Sequence, residues 1–311
     1  MAQSHRRRAA SESGSQPAPL FAEGGPAFYD QDRDEDFSRR SADRKRKRRG
    51  KRKKASGRDI LYNIAIAIFA LVFLVCAGLL VKRYLDDRQL ESEITELESL
   101  IDDTAQTAPA EEGGEVQTES NAAKFARLLE RNSDFVGWIS IEDTNLSFPV
   151  MQSVDRPDFY LDHNFNGEYD VYGVPYLDED CVLAPEGQSN NFIIYGHHMK
   201  SGTVFGSLPN YRNASYYQEH PYVEFDTLYG DATYEVFAAF AIDVVTDSFA
   251  FNTYINMDEA SFEEFVSQVK SRSDVDSGIT PVYGDRLLTL STCDYSSDNG
   301  RYVVCARKVE Q

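Results

Sequence analysis

Three residues in this 311-residue chain have the types that covalent catalysis needs. Cys293 closes the apolar run RLLTLSTC, residues 286–293. Strand alternation puts Leu288, Leu290 and Thr292 on one face, and Thr289, Ser291 and Cys293 on the other. A structural cysteine would favour the leucine face, whereas this one ends the small, polar side. The next seven residues, DYSSDNG, are polar and turn-rich; they let the following run, RYVVCARKV, fold back antiparallel. Arg301 then lies near Cys293 at little chain-closure cost. A nearby cation favours the thiolate, which is the nucleophilic form. A guanidinium there can also hold the oxyanion that forms when a thiolate attacks a carbonyl.

Such a nucleophile needs a proton carrier. The chain has five histidines: His5, His163, His197, His198 and His220. His197 and His198 directly follow the apolar run NFIIYG, and a strand end followed by Gly196 can project a side chain into a cleft. If strand geometry persists, the two neighbours point to opposite sides and only one can serve. Cys305 lies four residues beyond Arg301 on the same face, about 13 Å away by strand rise, too far to share the chemistry. Whether Cys181 and Cys305 pair with each other stays open at this stage.

The elements that must position these groups read as mainly β. Short β-type runs occur at 137–141, 147–151, 174–177, 191–195, 222–226, 232–242, 286–292 and 301–309, separated by turn residues, as in a barrel or sandwich. NAAKFARLLER, residues 121–131, reads as a helix with Phe125, Leu128 and Leu129 on one stripe. MDEASFEEFVSQVKSR, residues 257–272, reads as a second helix burying Phe262, Phe265, Val266 and Val269, with Asp258 or Ser261 as its cap.

Charge divides the chain. Residues 1–85 carry 19 Lys and Arg against 9 Asp and Glu, while the remainder carries 13 basic and 42 acidic residues. The acidic part would repel nucleic acid, so no nucleic-acid partner is expected. Residues 60–81, ILYNIAIAIFALVFLVCAGLLV, contain no charge over 22 residues. As a helix they span about 33 Å, close to the thickness of a bilayer's hydrocarbon core. RKRKRRGKRKK, residues 44–54, precedes them, and the positive-inside rule then places the N-terminus in the cytoplasm and the rest outside. Cys76 reads as a small hydrophobe within the span. Four segments are expected: a disordered basic cytoplasmic tail over 1–59, a transmembrane signal-anchor helix over 60–81, an extracytoplasmic stalk and linker over 82–120, and a catalytic domain over 121–311. In the stalk, Leu90, Ile94, Leu97 and Ile101 form one helical stripe; a solvated stalk is expected, and TAPAEEGGEVQTES, residues 107–120, reads as flexible linker.

At its motifs the chain resembles the sortases, the membrane-anchored cysteine transpeptidases of Gram-positive cell surfaces. TLSTC, residues 289–293, fills their Thr-Leu-x-Thr-Cys nucleophile motif. YGHHM fits their histidine after a glycine with His197, and Arg301 fits the arginine that opens the strand after the cysteine. TLSTCDY, FIIYGHHM and the two helices look most like class B, over roughly 121–309. The resemblance implies an eight-stranded β-barrel with peripheral helices, namely an N-terminal helix and a long helix before the nucleophile strand, preceded by one transmembrane helix. It implies that Cys293 attacks the Thr–Gly or Thr–Asn type bond of a C-terminal sorting signal, Asn-Pro-x-Thr-Gly/Asn-like, on a secreted protein. His197 would protonate the leaving amine, and Arg301 would hold backbone and oxyanion. By position, Leu161, Ser291 and Thr292 would line the peptide groove. A cell-wall amine of a peptidoglycan precursor would resolve the thioester. A lysine of a pilin subunit is the alternative acceptor, and a non-enzymatic exported binding domain is the alternative without chemistry. The lipid bilayer is a further expected partner, and no cofactor is expected. DHNFNGEYD, from Asp162, matches the opening of a calcium loop at Asp162, Asn164, Asn166 and Gly167, but its twelfth position is Gly173 instead of Glu; a turn-rich loop without metal is expected.

Overall fold

The structure is a computed structural model that describes residues 57–107 and 117–310. The basic tail up to residue 56, including the run 44–54 and His5, lies outside the described residues, as do 108–116 of the expected linker. The chain divides into two compact units, residues 1–74 and 75–311. In the first, the described residues belong to helix α1 (Gly57–Thr107), which is long and apolar enough to cross a membrane and buries none of its most apolar window.

In the second unit α1 continues without a break, since no proline interrupts it. Its residues Leu90, Ile94 and Leu97 are 4%, 9% and 0% exposed and belong to the barrel's main apolar cluster. This corrects the expectation of a solvated stalk. The stripe spaced four and three residues apart is an ordinary buried helix face, and the barrel is the surface that covers it. The expected helix over 121–131 is two pieces, α2 (Gln117–Lys124) and α3 (Ala126–Arg131). Phe125 breaks them with φ −104° and ψ 7° while its ring is fully buried.

Eight strands follow: β1 (Phe135–Ser140), β2 (Ser147–Met151), β3 (Tyr176–Leu177), β4 (Asn191–Tyr195), β5 (Tyr222–Thr227), β6 (Thr233–Asp243), β7 (Leu287–Asp294) and β8 (Gly300–Lys308). They close a barrel in the order β1-β2-β3-β4-β7-β8-β6-β5. Pairing is antiparallel except at β2–β3 and β4–β7. The short helix α4 (Ala214–Glu219) precedes β5, and α5 (Glu259–Arg272) precedes β7. Asp258 caps α5, its carboxylate accepting from the Ser261 amide at 2.9 Å.

Strand β7 runs between two apolar masses. Leu288 and Leu290 belong to the main cluster. Leu287 joins a second cluster with Val303 and Cys305 of β8 and with Phe262 and Phe265 of α5. The polar face of β7 is largely covered: Thr289 is fully buried and Ser291 is 2% exposed. Thr289 satisfies its hydroxyl on Asn191 Oδ1 at 3.0 Å. Only at Cys293 does this face reach solvent.

Candidate active site

The parallel pairing of β4 with β7 sets Tyr195 opposite Ser291, so both strands end at the same level. The Gly196 amide donates to the Ser291 carbonyl at 3.1 Å, and the Thr292 hydroxyl donates to the Gly196 carbonyl at 2.7 Å. Gly196 also lies against Phe205, where a Cβ would come 2.8 Å from the ring. These contacts pin the turn that carries His197. On the other side of β7, the β7–β8 hairpin places Arg301 directly opposite Cys293. Asp294 anchors that hairpin: its carboxylate takes Arg212 Nη2 at 2.5 Å and the Ser296 hydroxyl at 2.7 Å. Burial pushes its carboxyl pKa up, but the Ser296 and Arg212 interactions outweigh this and hold it below the usual range.

A cleft of about 450 Å³ opens where these strand ends meet. It brings together Leu161, His197, Ser291, Thr292, Cys293 and Arg301. His197 Nε2 lies 2.7 Å from the Leu161 carbonyl. A carbonyl can only accept, so Nε2 carries a proton. His198 lines a different cleft, of about 440 Å³, with Asp143, Lys200 and His220. Its Nδ1 donates to the Cys293 carbonyl at 2.8 Å, and its ring lies 4.9 Å from that of Tyr295.

The cleft also holds residues that sequence reasoning passed over. Tyr176 and Tyr195 stand with ring centroids 5.4 Å apart, their hydroxyls donating to Asp158 at 2.6 Å and Asp178 at 2.7 Å. Burial first, and the adjacent carboxylates second, push both phenols well up, so they remain donors. Val244, Phe251 and Asn252 complete one side from the β6–α5 connection. Tyr176 and Tyr195 both sat inside strand-like runs; no local spacing marks them as cleft residues, because separate segments converge there.

All four cysteines are free. Cys181 bonds within its own surroundings, to the Asn191 carbonyl and the Ile193 amide, and Cys305 takes the Thr289 hydroxyl at 3.8 Å. Burial pushes each of these two thiols up to about 12, which keeps them inert. Cys293 is half-buried at a cleft mouth. In the loop from Asp162, Asn164 Oδ1 accepts from the amides of Asn166 and Glu168 at 3.0 Å each, a self-contained turn.

A family model for the sortase domain matches residues 139–309. Sortase B of Staphylococcus aureus is 32% identical over 189 residues, 60% of this chain and 75% of its own. Sortase B of Listeria monocytogenes is 32% identical over 219 residues, 68% and 85% of the two chains. A Staphylococcus aureus sortase B–substrate complex superposes with a TM-score of 0.62 at 27% identity, covering 73% of this chain and 99% of the other. With a closed eight-stranded barrel and a half-buried thiol at a cleft, the chain belongs to the sortase family as a class B sortase, a cysteine transpeptidase.

Proposed function

We propose that this enzyme cleaves the C-terminal sorting signal of secreted proteins at Cys293 and transfers them to a cell-wall amine. The observation that carries this reading is the single cleft shared by His197, Cys293 and Arg301, with Arg301 in register opposite the cysteine. The Cys293 thiolate attacks the scissile carbonyl carbon, and the carbonyl π pair moves to oxygen. The Arg301 guanidinium stabilises that oxyanion. The intermediate collapses as the C–N bond breaks, and His197 gives its proton to the departing amine. The product is a Cys293 thioester and a released C-terminal fragment. An acceptor amine then attacks the thioester, His197 takes its proton, and the thiolate leaves.

Leu161, Ser291 and Thr292 line the peptide groove in this reading. Ser291 lines the cleft wall, and its hydroxyl is buried without a hydrogen-bond partner among the described residues. Thr292 serves through its bond to Gly196. The solved complex of the Staphylococcus aureus relative with its substrate supports a substrate site on this barrel. The Asn-Pro-x-Thr-Gly/Asn class is the signal expected for class B. Helix α1 anchors the enzyme as a single membrane pass, with the basic N-terminus in the cytoplasm and the barrel outside. The decisive experiment incubates the full chain in detergent with a small library of sorting-signal peptides and triglycine or a pilin lysine peptide as acceptor. Cleavage confined to the Asn-Pro-x-Thr class, with transfer to the glycine amine, is the expected result. Transfer to the lysine peptide alone would make it a pilus-assembling enzyme. No cleavage of any peptide would reject the reading.

A further inference from the structure

Helix α1 touches the barrel with more than its apolar stripe. Four of its acidic side chains each accept a hydrogen bond from the rest of the second unit. Asp87 takes the Tyr172 hydroxyl at 2.6 Å, Glu93 takes Asn166 Nδ2 at 3.1 Å, Glu96 takes Arg131 Nη1 at 2.7 Å, and Glu98 takes the Ser147 hydroxyl at 2.7 Å. Two of these partners, Asn166 and Tyr172, belong to the loop that joins β2 to β3, and Arg131 braces the same loop by donating Nε to Asn166 Oδ1 at 2.7 Å. Tyr172 is 4% exposed, and its hydroxyl finds its acceptor on the helix instead of within the loop.

The loop leads straight back to the cleft. Gly173, next to Tyr172, has φ +53°, and a Cβ there would lie 2.4 Å from the Leu161 carbonyl and 2.5 Å from that of Tyr160. The Val174 amide donates to the Tyr160 carbonyl at 3.1 Å, and the Asp170 amide to that of Asp162 at 2.9 Å. The Leu161 carbonyl is thus walled in by Gly173, and it is the group that accepts from His197 Nε2. A bond on α1 and the orientation of the imidazole are joined by one residue of backbone contact.

We propose that Asp87 of α1 and Tyr172 are positioning residues for His197: together they hold the loop whose Leu161 carbonyl orients the imidazole. Neither touches substrate. The inference rests on the reading that His197 carries the proton. A displacement of about 1 Å at a proton carrier lowers turnover by as much as a hundredfold, so a loosened loop lowers kcat more than it weakens peptide binding.

The test measures kcat and KM of the full chain in detergent on an Asn-Pro-x-Thr-Gly/Asn peptide, alongside the thermal unfolding midpoint. Tyr172→Phe and Asp87→Ala should each lower kcat about ten- to a hundredfold, with KM within about threefold. The double variant should be no worse than either single change, because both remove one bond. Asp87→Asn should restore most of kcat, since its amide oxygen still accepts from the tyrosine. If His197→Ala is inactive while Tyr172→Phe and Asp87→Ala keep wild-type kcat, the positioning role is wrong and the proposed function stands. If losses in kcat add in the double variant, or Asp87→Asn fails like Asp87→Ala, the pair does not act as one bond and the inference falls. If His197→Ala is itself active, the assignment of the proton carrier is what fails.

Discussion

Two clefts of nearly equal size, about 450 and 440 Å³, flank the turn that carries His197 and His198. Both are polar, and both have a histidine on the wall. They differ in what faces that histidine. The first sets a half-buried thiol and a guanidinium across a hairpin from each other. The second is lined by Asp143, Lys200 and His220, and no cysteine is among its described lining residues. Each histidine bonds a backbone carbonyl, His197 Nε2 that of Leu161 and His198 Nδ1 that of Cys293, and the His198 ring also lies against Tyr295. One residue of chain thus separates the histidine that shares a cleft with the thiol from the one that lines the other cleft.

The largest difference between the clefts is the thiol. Cys293→Ala should abolish peptide cleavage and leave the barrel folded, since the side chain fills no core position. Turnover above background, or a circular dichroism spectrum of an unfolded chain, would refute this. His197→Ala should lower turnover by about a hundred- to ten-thousandfold, the usual contribution of a general acid–base group. His198→Ala should stay within about tenfold, the loss being that of one bracing hydrogen bond. A dead His198 variant beside an active His197 variant would reverse the assignment of the two clefts. Arg301→Lys should lose about a hundredfold in turnover, because an ammonium cannot reproduce a planar donor fork at an oxyanion, yet alkylate at Cys293 at a near-normal rate. Turnover surviving within a few-fold would leave Arg301 with a charge role only.

The smallest effect concerns the hairpin anchor. The folded Asp294 carboxyl titrates below its unfolded value. Its stabilisation is therefore fully present above the unfolded carboxylate value, near pH 4, and is lost as pH falls through the folded one. Between about pH 6 and pH 3 the wild-type unfolding midpoint should drop further than that of Asp294→Asn, read by thermal scans. Equal slopes would mean the Arg212–Asp294 pair adds nothing measurable.

Much of this was legible in the sequence where local pattern and physics coincide. The strand runs, the α5 stripe and the Asp258 cap rest on periodicity and capping, which act within a few residues. So does the hairpin that brings Arg301 to Cys293: seven turn-rich residues leave little choice of register. Alternation says which residues of β7 share a face, not what covers it, so the burial of Thr289 and Ser291 could not be read from the sequence. The α1 stripe at Leu90, Ile94 and Leu97 was visible, but its partner surface comes from the distant barrel. The Tyr176 and Tyr195 wall stayed hidden for the same reason, as long-range convergence leaves no mark on local spacing.

Whether Cys293 forms the acyl intermediate is read directly by mass spectrometry of the intact full chain, quenched in acid during turnover of an Asn-Pro-x-Thr-Gly/Asn peptide without added amine. The expected result is an adduct of the N-terminal peptide fragment on Cys293 alone, lost on adding triglycine and absent from Cys293→Ala. An adduct on Cys181 or Cys305, or turnover by Cys293→Ala with no adduct at all, would contradict it.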